Sequence, residues 1–260
     1  VVFNNASSTV TNLDMTTTGG TATVDRLVDG TTNELTISAD DATAGASDGI
    51  TTYVAVTAED EETINLVSGS DTAEILTLTT LTSTDLLTLN LSGTANVVIT
   101  NAIASSTALA TVDASAATAD VDIDLDNNTV DATMTGGSGN DTLEGGTLND
   151  TITGGAGNDS LIGNEKADTL TGGAGNDTLD GGAGNDTLDG GDGNDSITAG
   201  AGNDTITGGA GNDTIIFASN VLTKDDTVDG GAGTDTATII AAADRTGSTK
   251  PTLTNVETVE

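Results

Sequence analysis

From Gly136 to Ile216 the chain divides into nine contiguous nine-residue repeats without an insertion, each a variation on Gly-Gly-x-Gly-Asn-Asp-Thr-Leu-x. Self-similarity at a short fixed period constrains the fold strongly, because a unit this small can bury its apolar side chains only against neighbouring copies. Position six is always aspartate: Asp141, Asp150, Asp159, Asp168, Asp177, Asp186, Asp195, Asp204 and Asp213. Position eight is always Leu or Ile, from Leu143 to Ile215. Four extra residues at 217–220 then break the phase and are expected to bulge out as a loop. Val221 to Asp229 resumes the phase with Asp226 at position six, and a last repeat from Gly230 carries Asp235.

Each nonamer reads as a six-residue turn followed by a three-residue strand. Glycines at positions one, two and four permit positive φ and let backbone carbonyls approach a common point that a Cβ would obstruct. Asn at position five is read as a residue tolerant of left-handed turn conformations. The aliphatic at position eight points inward while positions seven and nine point out, the period-two alternation of a strand. Two nonamers make one coil with a turn at each end. The expected fold is therefore all-β, a parallel β-roll or right-handed β-helix solenoid.

Composition agrees and narrows the partners. Only Phe3, Tyr53 and Phe217 are aromatic, so the core must come from β-branched and aliphatic residues layered many times. Against 41 acidic residues stand Arg26, Lys166, Lys224, Arg245 and Lys250, a net charge of −36, which argues against nucleic acid or anionic membrane as partners. No run is apolar enough to span a bilayer. Cysteine is absent, so no disulfide holds the fold. The chain opens at Val1 without methionine and stops at Glu260 in strand-like sequence, and it is expected to be a piece of a longer polypeptide.

Stacking the coils brings the aspartates of alternate repeats to about 4.8 Å, one strand spacing. Two carboxylates at that distance repel by roughly 1 kcal/mol in water and several times more at an effective dielectric of about 20. The ladder therefore calls for a cation. Carboxylates and carbonyls with no His and no Cys select a hard one, and flexible glycine turns suit the loose coordination of Ca²⁺ better than the strict octahedron of Mg²⁺.

The repeat resembles the nonapeptide G-G-x-G-x-D-x-U-x of RTX proteins, in tandem and in frame across residues 136–238. That resemblance implies a β-roll holding several Ca²⁺ ions between same-side turns of neighbouring coils, through the position-six Asp and turn carbonyls. It also implies type I secretion, with folding only outside the cell where calcium is abundant. The turns beginning at Gly136, Gly154, Gly172, Gly190 and Gly208 all read G-G-x-G-N-D, so this edge, with Asp141, Asp159, Asp177, Asp195 and Asp213, is expected to hold four strong sites. The opposite edge, with Asp150, Asp168, Asp186 and Asp204, departs from the pattern at Leu148, at Asn164-Glu165-Lys166 and at Ala199. Weak or empty sites are expected there, above all where the Gly145 turn faces the one carrying Lys166. Asp226 and Asp235 extend the candidate ligands.

Residues 1–135 lack the glycine frame and read as a Thr/Ala-rich β-solenoid, sandwich-like at its start if not solenoidal throughout. Candidate strands are Thr63–Val67, Ile75–Thr80, Leu86–Leu91, Val97–Asn101 and Leu109–Val112. No linker intervenes before the repeats, so the solenoid is expected to feed directly into the roll. The alternating run from Asp120 to Asp126 places Val121, Ile123 and Leu125 on one face and four aspartates on the other, a solvated face or a lateral calcium site. Residues 239–260 read as the start of a following β segment. Thr111-Val-Asp-Ala-Ser115 and Leu253-Thr-Asn-Val-Glu-Thr-Val259 resemble segments of calcium-dependent bacterial S-layer proteins.

Several motifs are decoys. Gly45-Ala-Ser47-Asp-Gly49 matches a nucleophile elbow, but the chain has no histidine to build a triad. Asp122-x-Asp124-x-Asp126 is followed by Asn127 where an EF-hand needs glycine. A glycosidase carboxylate pair lacks stacking aromatics. Ice binding would ask for Thr in rank at position three, where Ser138, Thr147, Ala156, Glu165, Ala174, Ala183, Asp192, Ala201 and Ala210 stand. The expectation is a non-enzymatic, calcium-binding structural segment of a secreted S-layer protein on the bacterial surface. It would self-associate into a lattice, with cell-surface polysaccharide reached through regions outside this chain. The alternative is a non-catalytic RTX module of a type I secreted enzyme or adhesin.

Overall fold

A computed structural model of the chain describes residues 2–6, 12–15, 23–26, 34–39, 51–53, 56–57, 63–68, 75–78, 81–82, 86–99, 109–217, 225–239 and 252–259. Every regular element among them is a β-strand. Two long parallel sheets, of twelve and eleven strands, take nearly all of them. The chain alternates between the sheets, so each pair of strands closes one coil of a solenoid.

Coil length follows the sequence period. Thr133, Thr151, Thr169, Thr187 and Thr205 lie in register, two nonamers apart. Upstream the same sheet continues with longer coils through Thr111, Thr88 and Thr63. The Thr/Ala-rich strands and the repeats thus share both sheets. The strand Thr63–Val67 stands where the sequence places it. The others are offset: Ile75–Leu78, Thr88–Gly93, Asn96–Ile99 and Thr111–Ala117. Alternation fixes which side chains point in, but turn residues rich in Ser and Thr continue a strand too easily to mark its end.

Two facing aliphatic ladders fill the interior. One runs Ile64, Leu89, Val112, Met134, Ile152, Leu170, Leu188, Ile206 and Val228; the other runs Leu78, Ile99, Ile123, Leu143, Leu161, Leu179, Ile197 and Ile215. Each three-residue strand of the roll contributes one such side chain, flanked by outward neighbours at positions seven and nine.

The phase break is absorbed without interrupting either sheet, since Thr205 pairs with Thr227 and Thr214 with Thr236. Phe217, expected at the start of a loop, instead ends the strand Thr214–Phe217, pairs with Ile239 and is buried. An aromatic ring gains more from the core than from a loop. The rest of the insertion lies outside the described residues, as does Gly45–Gly49.

Candidate metal centre

Turn geometry separates the glycines by task. At most of positions two and four the backbone is left-handed, as in Gly155 (φ 115°) and Gly157 (φ 123°), where a Cβ would also strike a carbonyl of the preceding coil. At position one φ is ordinary, and what matters is space. A Cβ added to Gly163 would lie 2.6 Å from Asp168 Oδ2 and 2.7 Å from the Gly181 carbonyl oxygen. At Gly136, Gly154, Gly172, Gly190 and Gly208 it would likewise meet the turn's own aspartate Oδ2 and the position-one carbonyl of the next coil. Position-one glycine therefore keeps open a cradle on which one carboxylate oxygen and one carbonyl converge.

The position-six aspartates are buried, with exposures of 0–2 %. Their two oxygens have different work. Oδ1 accepts the backbone N–H of the aspartate one coil back, in a chain from Asp141 through Asp159, Asp177, Asp195 and Asp213 to Asp235, at 2.8–2.9 Å. The other edge repeats this from Asp150 through Asp168, Asp186 and Asp204 to Asp226. Oδ2 faces the cradle. It has no hydrogen-bond partner in Asp159, Asp168, Asp177, Asp186, Asp195, Asp213 and Asp235. At the first turns it is satisfied within the turn, accepting from Gly137 N–H for Asp141 and from Gly146 N–H for Asp150.

Buried oxygens of this kind disfavour ionisation. Desolvation pushes the carboxyls of Asp159, Asp186 and Asp195 up to about 6 and that of Asp168 up to about 7, with repulsion from neighbouring aspartates adding to the rise. Burial also raises Asp141, Asp150, Asp177, Asp204 and Asp213.

The two edges differ less than their sequences suggest. Asn164 (φ 75°) and Lys166 (φ 79°) take up the left-handed conformation that glycine holds elsewhere, so the turn keeps its shape instead of being crowded out of it. The Lys166 side chain is exposed, and Asp168 in that turn has the same orphaned oxygen as its counterparts on the regular edge. Ala199 is the departure with a visible consequence. Its N–H···O bond to Ile216 is 3.3 Å, against 2.8–3.0 Å for Gly145, Gly163 and Gly181, and among the described residues no orphaned buried oxygen occurs at Asp204.

One reading of the sequence needs correction. Asn at position five is not left-handed; among the described residues only Asn164, Lys166 and Asn255 are non-glycines with positive φ. Its side chain instead accepts the N–H of the same position one coil on, linking Asn140, Asn158, Asn176, Asn194, Asn212 and Thr234 into an exposed ladder. The in-phase recurrence of Asn was the available signal, because a side-chain carbonyl repeated at one strand spacing can pair with the backbone above it. Between Asp120 and Asp126 the alternation stands as read: Val121, Ile123 and Leu125 are buried, and the intervening Asp122 and Asp124 lie on the outer face. The strand is Val121–Asp124; Asp120 accepts from Asn140 N–H at the foot of the asparagine ladder, and Asp124 accepts from Asp126 N–H. No group of three or more carboxylates suited to a metal occurs among the described residues.

A metal in these turns must accordingly be held by one or two carboxylate oxygens completed by backbone carbonyls. The donor set fits: all oxygen, an orphaned and buried carboxylate oxygen in seven of the turns, and a carbonyl aimed into the same cradle. Such chemistry suits a hard divalent cation, which would be held by the position-six Oδ2 and the position-one carbonyl of the next coil. Fold and site together define a parallel β-roll built to take cations between its coils. The RTX calcium-binding nonapeptide repeat family matches the chain in four copies, over residues 135–165, 162–197, 189–219 and 222–237. This block is composed of RTX calcium-binding repeats, and the chain carries a calcium-binding structural module. No curated protein and no solved structure is significantly similar to the chain.

Proposed function

We propose that the chain is a calcium-loaded, non-catalytic segment of a secreted bacterial surface protein of the S-layer type. The observation that carries this reading is the file of buried aspartate oxygens without partners. A chain of net charge −36 with such a file folds poorly where calcium is scarce, which keeps it exportable. Where calcium is abundant, ion binding supplies the missing stabilisation, and binding energy becomes folding energy. Two sheets shared by the Thr/Ala-rich strands and the repeats favour a structural rod, and the S-layer-like segments of the sequence favour a lattice.

Far-ultraviolet circular dichroism tests the folding step. The β signal is expected to appear on adding calcium and to collapse with EDTA, and an identical spectrum under both conditions would sink the proposal. Electron microscopy of cell envelopes tests the lattice, which is expected to be ordered with calcium and dispersed after chelation.

A further inference from the structure

The last described coil continues the metal-binding edge beyond the repeats. The family match ends at residue 237, and Thr252–Val259 lacks the glycine motif altogether. Yet Thr252, Leu253 and Thr254 pair with Thr227, Val228 and Asp229, and Thr258 and Val259 with Thr236 and Ala237. Only Asn255, Val256 and Glu257 link these two strands, where a repeat uses six residues. By register Asn255 stands over Gly230 and takes a left-handed φ of 50°.

Glu257 takes the place of the next aspartate: its Oε2 accepts the Asp235 N–H at 2.7 Å, as each Oδ1 does further down the edge. The Asp235 carbonyl accepts in return from the N–H groups of Glu257 and Thr258. Below this cap the cradle is complete. Asp235 is fully buried and its Oδ2 has no partner. A Cβ on Gly230 would lie 2.7 Å from that oxygen and collide with the carbonyl oxygen of Asn255.

We propose that this tail forms a further calcium site at the end of the regular edge, with Asp235 Oδ2 and the Asn255 carbonyl as ligands and Glu257 as the positioning residue that closes the carboxylate ladder. The site rests on the reading that the repeat turns hold calcium, but its own carbonyl comes from a segment without the repeat. A residue with a side chain can supply that carbonyl because the cradle needs space only on the Gly230 side.

Crystals of the full chain grown in calcium would give an anomalous difference map that separates the two ideas. Peaks between the repeat turns and another between Asp235 and Asn255 are the expected result. Peaks at the repeat turns with none at Asp235 overturn the tail site alone, and an ordered roll without peaks anywhere overturns both. In solution, Asp235→Asn keeps the amide oxygen for the Asp213 N–H and is expected to lower the calcium count by one ion per chain while the β spectrum persists. An unchanged count refutes the site.

Discussion

Within one turn, a single carboxylate serves both the backbone and the ion, and the two roles can be separated by substitution. Asp195 Oδ1 accepts from Asp177 N–H, while Oδ2 points at the space between Gly190 and the Gly208 carbonyl. Asparagine there would retain the first bond, and its amide N–H would face the Gly208 carbonyl as a donor. The substitution also removes a buried charge whose pKa burial has raised to about 6. Asp195→Asn is therefore expected to bind one calcium fewer and yet to make the metal-free chain more resistant to urea at about pH 5, where it still holds its β structure. Asp195→Ala loses the hydrogen bond as well and should be less stable than the asparagine variant by about 0.5–1.5 kcal/mol. Calcium counting and urea titration in EDTA read the two effects separately, and an asparagine variant weakened in EDTA would contradict the assignment.

Strands of three residues hold their register by what they bury and by what their ends bond to. Leu170 is fully buried in one ladder between Ile152 and Leu188. Leu170→Ala is expected to cost about 2–5 kcal/mol, because coils above and below are tied by ladder hydrogen bonds and cannot collapse into the cavity. Thr169→Ala, on the exposed side of the same strand, should stay within about 0.5 kcal/mol, and urea melts at saturating calcium compare them. This inward and outward assignment was legible in the sequence, since a fixed aliphatic at position eight and a strand period of two leave one choice of face. The aspartate and glycine positions of the candidate site were legible for the same reason. What could not be read was the partition of labour inside the turn. Oδ1 pairing, the asparagine ladder and the cap by Glu257 all join residues one coil apart, and their geometry exists only once the coil length is fixed. At Lys166 the turn asks for a left-handed φ, which costs a non-glycine about 1–2 kcal/mol and leaves the backbone path unchanged.

Across the whole roll the buried aspartates act together, so pH and calcium oppose each other in a definite direction. An unfolded chain titrates its aspartates at about 3.9. In the metal-free fold Asp159, Asp186 and Asp195 titrate at about 6 and Asp168 at about 7. The folded state thus holds more protons than the unfolded one between about pH 4 and 7, and stability without metal must fall as pH rises through that window. It is greatest in acid, where the carboxyls are neutral, and lost above the folded pKa values. Calcium reverses the slope, since the ion needs the carboxylate and displaces the proton. In EDTA, β structure is expected at pH 4.5 and its loss by pH 7.5. Calcium binding to the folded chain should tighten as pH rises from about 4.5 to 6, with proton release in unbuffered titrations across that range. A metal-free chain that gains structure on going from pH 4.5 to 7.5 would show that burial of these carboxylates is not what opposes folding.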